Sequence, residues 1–576
     1  MRIGAMFAVI AFAGQLHAAD PARPNVVIIL TDDMGFSDLS CYGGEIATPN
    51  LDALAAAGLR CTQFYNCARC CPTRASLLTG LYPHQAGVGH MMDDKNKPGY
   101  RGDLNSRCAT LAEAVKPAGY RAYAVGKWHV TRHLKQDGPK HNWPLQRGFD
   151  KFYGMISGGG SYFDPYTLCR GNDLISPFAD AEYRPESYYF TDAIGDHAVR
   201  FMTDHRAENP NQPFLLYVAF TAAHWPMHAL PTDIAKYKGR YDGGYEPIRK
   251  ARFDKAAKLG VIDAGQGMSP AAEDWVAVAN KSRESACMEV YAAAVERMDT
   301  NVGKIVAALR QAGQLDNTLI LYLQDNGGCA EQTGRAVAAG RVNGPRADSP
   351  SLPVIAASAL PAALMPPQTR DGYPVRMGPD VVPGPADTYV AYGRGWANVS
   401  NTPFREYKHW VHEGGIATPL IAHWPLRIAA KGELRHQPGH LIDIMPTLLE
   451  LAGATYPSQL TPIEGKSLVP VFTNQPLPSR TIYWEHEGNR AARSGDLKLV
   501  AKGPAGKWEL YNLGKDRTES KDLAPEEPIR AKAMIDAWEA WAQSTNVLPW
   551  ISTPAYGEAT PVQPKGKGKT KGKSSD

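Results

Sequence analysis

The sequence predicts an α/β fold: a large, mostly parallel sheet flanked by helices, followed by a smaller C-terminal α+β domain. Two observations carry this reading. Short continuous apolar runs alternate with helix-like stretches through most of the 576 residues, and after about Arg427 the runs shorten. A chain of this length can bury a sizeable core and divides, as a prior, into more than one domain. Residues 26–30 form a continuous apolar run, as a strand buried on both faces requires. Thr48-Pro49 then opens a helix, with Thr48 as cap, Leu51 and Leu54 on one face and Gly58 as the stop. Leu111–Val115 reads as a helix leading to a strand over 121–125, and residues 214–220 and 319–323 are further buried strands. A long helix covers 287–309, where Val290, Ala294 and Met298 recur at helical spacing.

Residues 330–401 are rich in Pro and Gly with little periodicity, an irregular insertion that either shapes a rim or stays disordered. The predicted catalytic body is 20–426 and the smaller domain 427–550, with short strands at 480–485, 497–501 and 508–513 and a closing helix over 531–543. The ends have a different character. Met1-Arg2, an apolar run to Gly14 and small residues at Ala18-Ala19 have the three parts of a secretory signal over 1–19, so the expectation is export to the periplasm or beyond. No segment is apolar and long enough to predict a membrane span. The Lys/Gly-rich tail at 551–576 reads as a solvated low-complexity end, and a net charge of +4 gives no reason to expect a nucleic-acid partner. Nine cysteines cannot all pair, and Cys67, Cys70 and Cys71 lack the spacing of a zinc site.

The residues after each strand are more informative. The predicted strands run into Asp32-Asp33, Lys127-Trp128-His129, His224-Trp225-Pro226 and Asp325-Asn326. In a parallel α/β sheet the carboxyl ends of strands converge on one edge, where ligands bind. Asp32, Asp33, Asp325 and Asn326 offer only oxygen, which suits a hard cation such as Ca²⁺ or Mg²⁺. Either pair alone is more commonly a turn after a strand. Their company reverses that weighting. Cys70-Cys71-Pro72-Thr73-Arg74, followed by Thr79-Gly80, places Cys70 just before a short helix whose N-terminus favours an anion. A thiolate nucleophile and a plain buried cysteine both fit that position.

The run Cys-x-Pro-Thr-Arg followed by Thr-Gly resembles the signature of the formylglycine-dependent (type I) sulfatases, in the alkaline phosphatase superfamily. Residues 35–38, 43–50 and 288–293 are similar to bacterial arylsulfatases in particular, and the likeness spans about 23–541. The resemblance implies a large mixed sheet, one Ca²⁺, and Cys70 converted to formylglycine by a separate formylglycine-generating enzyme. It assigns Asp32, Asp33, Asp325, Asn326 and the converted Cys70 to the metal. It puts Lys127 and Lys408 on the sulfate, Arg74 and His129 beside the nucleophile, and His224 at the ester oxygen. Ala417-Thr418-Pro419 departs mildly from the family's usual Arg-x-Pro. His409, His412 and His423 are left as surface or supporting residues.

The implied chemistry suits these residue types, since a sulfate ester repels nucleophiles until cations neutralise its charge. A hydrated aldehyde offers one hydroxyl to attack sulfur and a second whose deprotonation regenerates the aldehyde. The expected substrate is an aryl sulfate or a sulfated sugar. A phosphodiesterase of the same superfamily and an inactive sulfate-ester-binding protein are the rivals.

Overall fold

The computed structural model describes residues 23–551; the expected signal segment and the Lys-rich tail lie outside the described residues. Among the described residues the main sheet has eleven strands. In chain order they are β1 (Asn25–Thr31), β2 (Leu59–Tyr65), β3 (Arg121–Lys127), β4 (Lys151–Met155), β5 (Leu168–Arg170), β6 (Asp173–Leu174), β7 (Phe214–Ala219), β8 (Thr318–Gln324), β9 (Ala417–His423), β10 (Glu433–Arg435) and β11 (Gly439–His440). The order across the sheet is β10-β2-β9-β8-β1-β7-β3-β4-β5-β6, with β11 also on β2. Its centre, β8-β1-β7-β3, is parallel, whereas β9 runs antiparallel to β2 and β8. The expected mixed, mostly parallel sheet is present.

Alternation along the strands feeds two cores. Val27 and Ile29 of β1, Leu216 and Val218 of β7 and Ile320 and Tyr322 of β8 face one side. That side is covered by helices Pro49–Ala56, Phe190–Glu208 and Lys281–Gln311. Val26, Ile28, Leu215, Tyr217, Leu319 and Leu321 face the other, against helices Cys70–Thr79, Leu111–Val115 and Ile444–Ala452. Burial on both faces is why these strands read as unbroken apolar runs.

Several local expectations shift. Thr48 precedes its helix but makes no side-chain cap; its hydroxyl donates to Asp52 Oδ1 at 3.2 Å instead. The long helix starts six residues earlier than the apolar spacing indicates, because Asn280 caps it by accepting from the Arg283 N–H at 3.1 Å. Residues 330–401 are built as loops joined by isolated bridges such as Val342↔Arg376, ending in helix Arg394–Ser400.

The boundary expected at Arg427 falls inside the main body, because β10 and β11 pair with β2 and helix Ile444–Ala452 packs into the second core. The smaller sheet starts at β12 (Thr481–His486) and continues through β13 (Asn489–Ser494), β14 (Leu497–Ala501) and β15 (Glu509–Asn512), all antiparallel. Trp484 turns to the main body and donates to the Asn66 carbonyl at 2.8 Å. Helix Pro528–Ser544 covers the opposite face through Trp538 and Trp541.

Gly126 is required where β3 meets β7. It adopts φ +97°, and a Cβ there would lie 1.9 Å from the Ala219 carbonyl oxygen. Gly126→Ala is expected to cost more than about 1 kcal/mol, from the left-handed conformation alone. A urea midpoint equal to that of the unaltered protein would contradict this account of the β3–β7 contact.

Candidate active site

Register brings the predicted residues together. Leu30 of β1 and Gly126 of β3 both align with Ala219 of β7, and Thr31 aligns with Gln324 of β8. The four strands therefore end side by side, and each next residue or loop carries a functional group. Main-chain bonds fix the exits: Asp32 N donates to Ala222 O at 3.0 Å, and Asp325 N donates to Thr31 O at 3.0 Å. Asp33 (φ 58°) and His129 (φ 53°) take left-handed conformations, strain of the kind stored at functional sites.

Helix Cys70–Thr79 lies under this edge with every residue buried. Cys70 is its first residue rather than the one before it, and Pro72 sits third, where a missing N–H costs nothing. Gly80 closes the helix at φ 70°. Arg74, one turn on from Cys70, reaches Asp325 Oδ2 at 2.8 Å and Asp32 Oδ2 at 3.3 Å, and donates to the Lys127 carbonyl at 3.0 Å. Lys127 Nζ meets Asp32 Oδ2 at 2.6 Å, and Lys408 Nζ meets Asp33 Oδ1 at 2.9 Å. Asn326 Nδ2 donates to Asp33 Oδ1 at 2.7 Å, and His224 Nε2 is 3.6 Å from Asp33 Oδ2.

Three buried carboxylates thus face three buried cations. Asp32 Oδ1 and Asn326 Oδ1 are nevertheless buried with no hydrogen-bond partner among the described residues. Unpartnered oxygens on an all-oxygen donor set are what a hard divalent cation would satisfy. The residues fit such a group. Electrostatics agrees: burial opposes ionisation of Asp32, yet Lys127, His224 and Arg74 hold it down to about 2. Burial and the adjacent Asp32 push Asp325 well above the usual carboxylate range, against Arg74. A further positive charge is needed for both to ionise together.

Cys70 stands where the nucleophile would be. The neighbouring Cys71 thiol, with Lys127 and His129, draws its thiol well below the usual range despite burial. Burial holds the His129 imidazole down to about 4, opposed by the sulfur of Cys70. For His224, burial also lowers the value while Asp33 raises it. Cys70, His129, His224 and Lys408 open onto a cavity of about 380 Å³, whose walls add Arg69, Met91, Met92, Leu134, Tyr166, Trp225, Glu331 and Leu364. Asp32, Arg74 and Lys127 lie behind its floor, each at most 1% exposed.

The matched residues of the signature, strand ends and Lys408 all meet at one place. The sulfatase family matches residues 24–454. The chain belongs to that family. Its activity is sulfate-ester hydrolysis. A second match, to the N-sulphoglucosamine sulphohydrolase C-terminal family, covers 405–534. This sulfatase is 32% identical to the arylsulfatase of Klebsiella aerogenes over 77% of the chain and 89% of that enzyme. It is 31% identical to an uncharacterized sulfatase of Schizosaccharomyces pombe, over 92% of the chain and 95% of that protein. The crystal structure of Ps i-CgsB with k-i-k-neocarrahexaose superposes with TM-score 0.62 at 23% identity, covering 91% and 93% of the two chains. A structure bound to its substrate D-glucosamine-2-N,6-O-disulfate gives TM-score 0.59 at 19% identity, covering 92% and 100%.

Sequence reasoning missed Glu331 and Arg69. Glu331 accepts from Trp225 Nε1 at 2.6 Å and from Arg69 at 2.7 Å, and lies 3.8 Å from Lys408. Its only sequence signal is proximity to Asp325-Asn326; Arg69 simply precedes Cys70. Of the two alternatives for His409, His412 and His423, the structure removes the surface one: all three are buried, at 3%, 0% and 5% exposure. All nine cysteines are free thiols.

In metal-free protein, Arg74→Met would leave Asp32 and Asp325 buried with Lys127 as their nearest remaining cation. It is expected to destabilise this sulfatase by about 3–5 kcal/mol, read as a lower urea midpoint. Arg74→Met with Asp325→Asn should recover part of that loss. A double variant as unstable as the single one would contradict the pairing.

Proposed function

We propose that this sulfatase works through formylglycine made from Cys70 and one Ca²⁺, with Asp32, Asp33, Asp325, Asn326 and the converted Cys70 as the metal's ligands. The observation that most supports this is the pair of unpartnered oxygens, Asp32 Oδ1 and Asn326 Oδ1, behind a cavity that opens at Cys70. When bound, Ca²⁺ supplies the charge that polarises a hydroxyl of the hydrated aldehyde and an oxygen of the sulfate.

The chain's own residues do the rest. Lys408 at the cavity and Lys127 just behind its floor, paired with Asp33 and Asp32, supply the fixed positive charge that would hold sulfate oxygens. Arg74 keeps Asp32 and Asp325 in place and adds fixed positive charge beneath the nucleophile. The low proton affinity of His129 leaves it as free base next to Cys70, ready to take a hydroxyl proton. His224 donates from Nδ1 to the Trp225 carbonyl at 2.5 Å, so Nε2 faces the cavity and Asp33, whose charge favours the imidazolium that would protonate the leaving oxygen. Met91, Met92, Leu134, Tyr166, Trp225 and Leu364 give the leaving-group side a mostly apolar wall, which favours an aryl sulfate over a sugar sulfate.

Protein co-expressed with a formylglycine-generating enzyme should release phenol from an aryl sulfate, with turnover falling to background in Cys70→Ala. Faster hydrolysis of an aryl phosphodiester would overturn the reaction class, and a higher kcat/KM on a sulfated disaccharide would overturn the substrate preference. His224→Ala should lower kcat by about 10²–10⁴ on an alkyl sulfate and much less on a nitrophenyl sulfate, whose leaving group needs no proton. Equal losses on both would remove His224 from the acid role. Export is proposed on residues 1–19 alone. Secreted or periplasmic protein should begin near Asp20, and full-length protein retained in the cytoplasm would contradict it.

A further inference from the structure

A second group of side chains with potential metal-ligating atoms lies just behind the cavity wall, apart from the catalytic residues. His486 ends β12, Glu487 lies in the turn to β13, His409 follows Lys408, and His90 precedes the cavity residue Met91. One donor atom each from His409, His486 and Glu487 lie within 4.8 Å of one another. His90 Nδ1 is 3.1 Å from Glu487 Oε1, and His409 Nδ1 is 3.2 Å from Glu487 Oε2. His486 is 0% exposed, and the Glu487 side chain is 1% exposed.

The Glu487 carboxylate is ion-paired with His90 and His409, yet several atoms of the cluster lack a hydrogen bond of good geometry. Both ring nitrogens of His486, both carboxylate oxygens of Glu487 and Nδ1 of His90 have no hydrogen-bond partner among the described residues. Burying a carboxylate and an imidazole without well-formed hydrogen bonds is unfavourable unless something else satisfies them. Short separations between atoms left without well-formed hydrogen bonds are what donor atoms show when their lone pairs converge on a shared point rather than on each other. In a tetrahedral zinc site with bonds of about 2.0–2.1 Å, neighbouring ligand atoms stand about 3.3 Å apart. Whichever oxygen of Glu487 binds, one of these pairs, 3.1 Å to His90 or 3.2 Å to His409, is close to that edge length.

The surroundings support the same reading. His90 Nε2 lies 3.3 Å from Asp93 Oδ1, a carboxylate on the outer nitrogen of the kind that orients metal-bound imidazoles. His409 Nε2 lies 3.2 Å from Asn489 Nδ2. His409 (φ 91°) and Glu487 (φ 49°) both take left-handed conformations, strain that persists only where other contacts dictate it. The neighbouring Arg69 guanidinium, which would oppose a cation, is met by Glu331 at 2.7 Å.

We propose that His409, His486 and Glu487, with His90 as fourth ligand, form a closed structural site for a Zn²⁺-type divalent metal. Its donor set separates it from the oxygen-only set at Asp32, Asp33, Asp325 and Asn326, since imidazole selects the later first-row metals and carboxylate with amide oxygen selects hard cations. Four protein ligands leave no open position, which marks a structural rather than a hydrolytic metal. The site ties three segments together: the β12–β13 turn, the loop before Met91 and the backbone after Lys408. His409 N also donates to the Ala68 carbonyl at 2.7 Å, two residues before Cys70. The metal would therefore hold Lys408 and the start of the nucleophile helix in register with the smaller sheet.

The test uses the full chain, purified without chelator and dialysed against Zn²⁺ in the presence of excess Ca²⁺, with metals counted by elemental mass spectrometry. About one zinc per chain is expected. His486→Ala and Glu487→Gln should each lose it while keeping the calcium content of the unaltered protein. Co²⁺ in place of Zn²⁺ should give the intense visible absorption of a tetrahedral ion in the unaltered protein and not in either variant. Should both variants fail to fold, the zinc count and Co²⁺ spectrum of the unaltered protein decide alone. No zinc taken up and no tetrahedral Co²⁺ band would overturn the proposal, leaving a histidine–carboxylate cluster with no metal. Zinc retained in both variants would overturn it as well.

Discussion

Three carboxylates, Asp32, Asp33 and Asp325, are at most 1% exposed and lie together at the ends of two neighbouring strands, β1 and β8. Like charges so placed cannot all ionise in a low-dielectric interior unless cations are built in beside them. The fold supplies those cations from three separate segments: Arg74 from the helix beneath the sheet edge, Lys127 from the end of β3, and Lys408 from the loop before β9. Much of the architecture follows from bringing them there. β3 and β1 must flank β7, helix Cys70–Thr79 must lie wholly buried, and residues after the 330–401 stretch must return to the same edge. Two oxygens remain without a partner after all this, and they point to one more positive charge.

The central strands are legible in the sequence because burial on both faces forces continuous apolar runs, and each run ends in a residue type that has no place in a core. β1, β3, β7 and β8 fall within a residue or two of their expected limits, and all ten expected site residues meet around Cys70. Strands whose pattern is polar or interrupted do not stand out. β2 reads Leu-Arg-Cys-Thr-Gln-Phe-Tyr, and Arg60 and Gln63 hide its pairing with β9. β13 contains two arginines, although Arg493 is buried against Tyr65 and Gln63.

Other features depend on contacts between residues far apart in the chain, which no local pattern records. Glu331 matters because Arg69 and Trp225 reach it from segments 262 and 106 residues away. The end of the main body is hidden for a similar reason: β10 and β11 are short, and only their pairing with β2 assigns them to the large sheet. The sequence leaves His409 as a surface or supporting residue because its partners come from the turn beyond β12. The 330–401 stretch has no element pattern because its order comes from side chains, such as Arg376 on Asp387 at 2.7 Å and Arg370 on Asp164 at 2.9 Å.

The central claim is that the buried carboxylates hold a hard cation that hydrolysis requires. Its most direct measurement is aryl sulfate turnover by the formylglycine-bearing protein after chelation and dialysis, followed by return of single metals. Turnover should vanish in metal-free protein that is still folded, and return with Ca²⁺ added to zinc-supplied protein but not with Zn²⁺ alone. Full turnover in protein shown by elemental analysis to hold no metal would contradict the claim, because Asp32, Asp33 and Asp325 would then serve only as partners to their arginine and lysines.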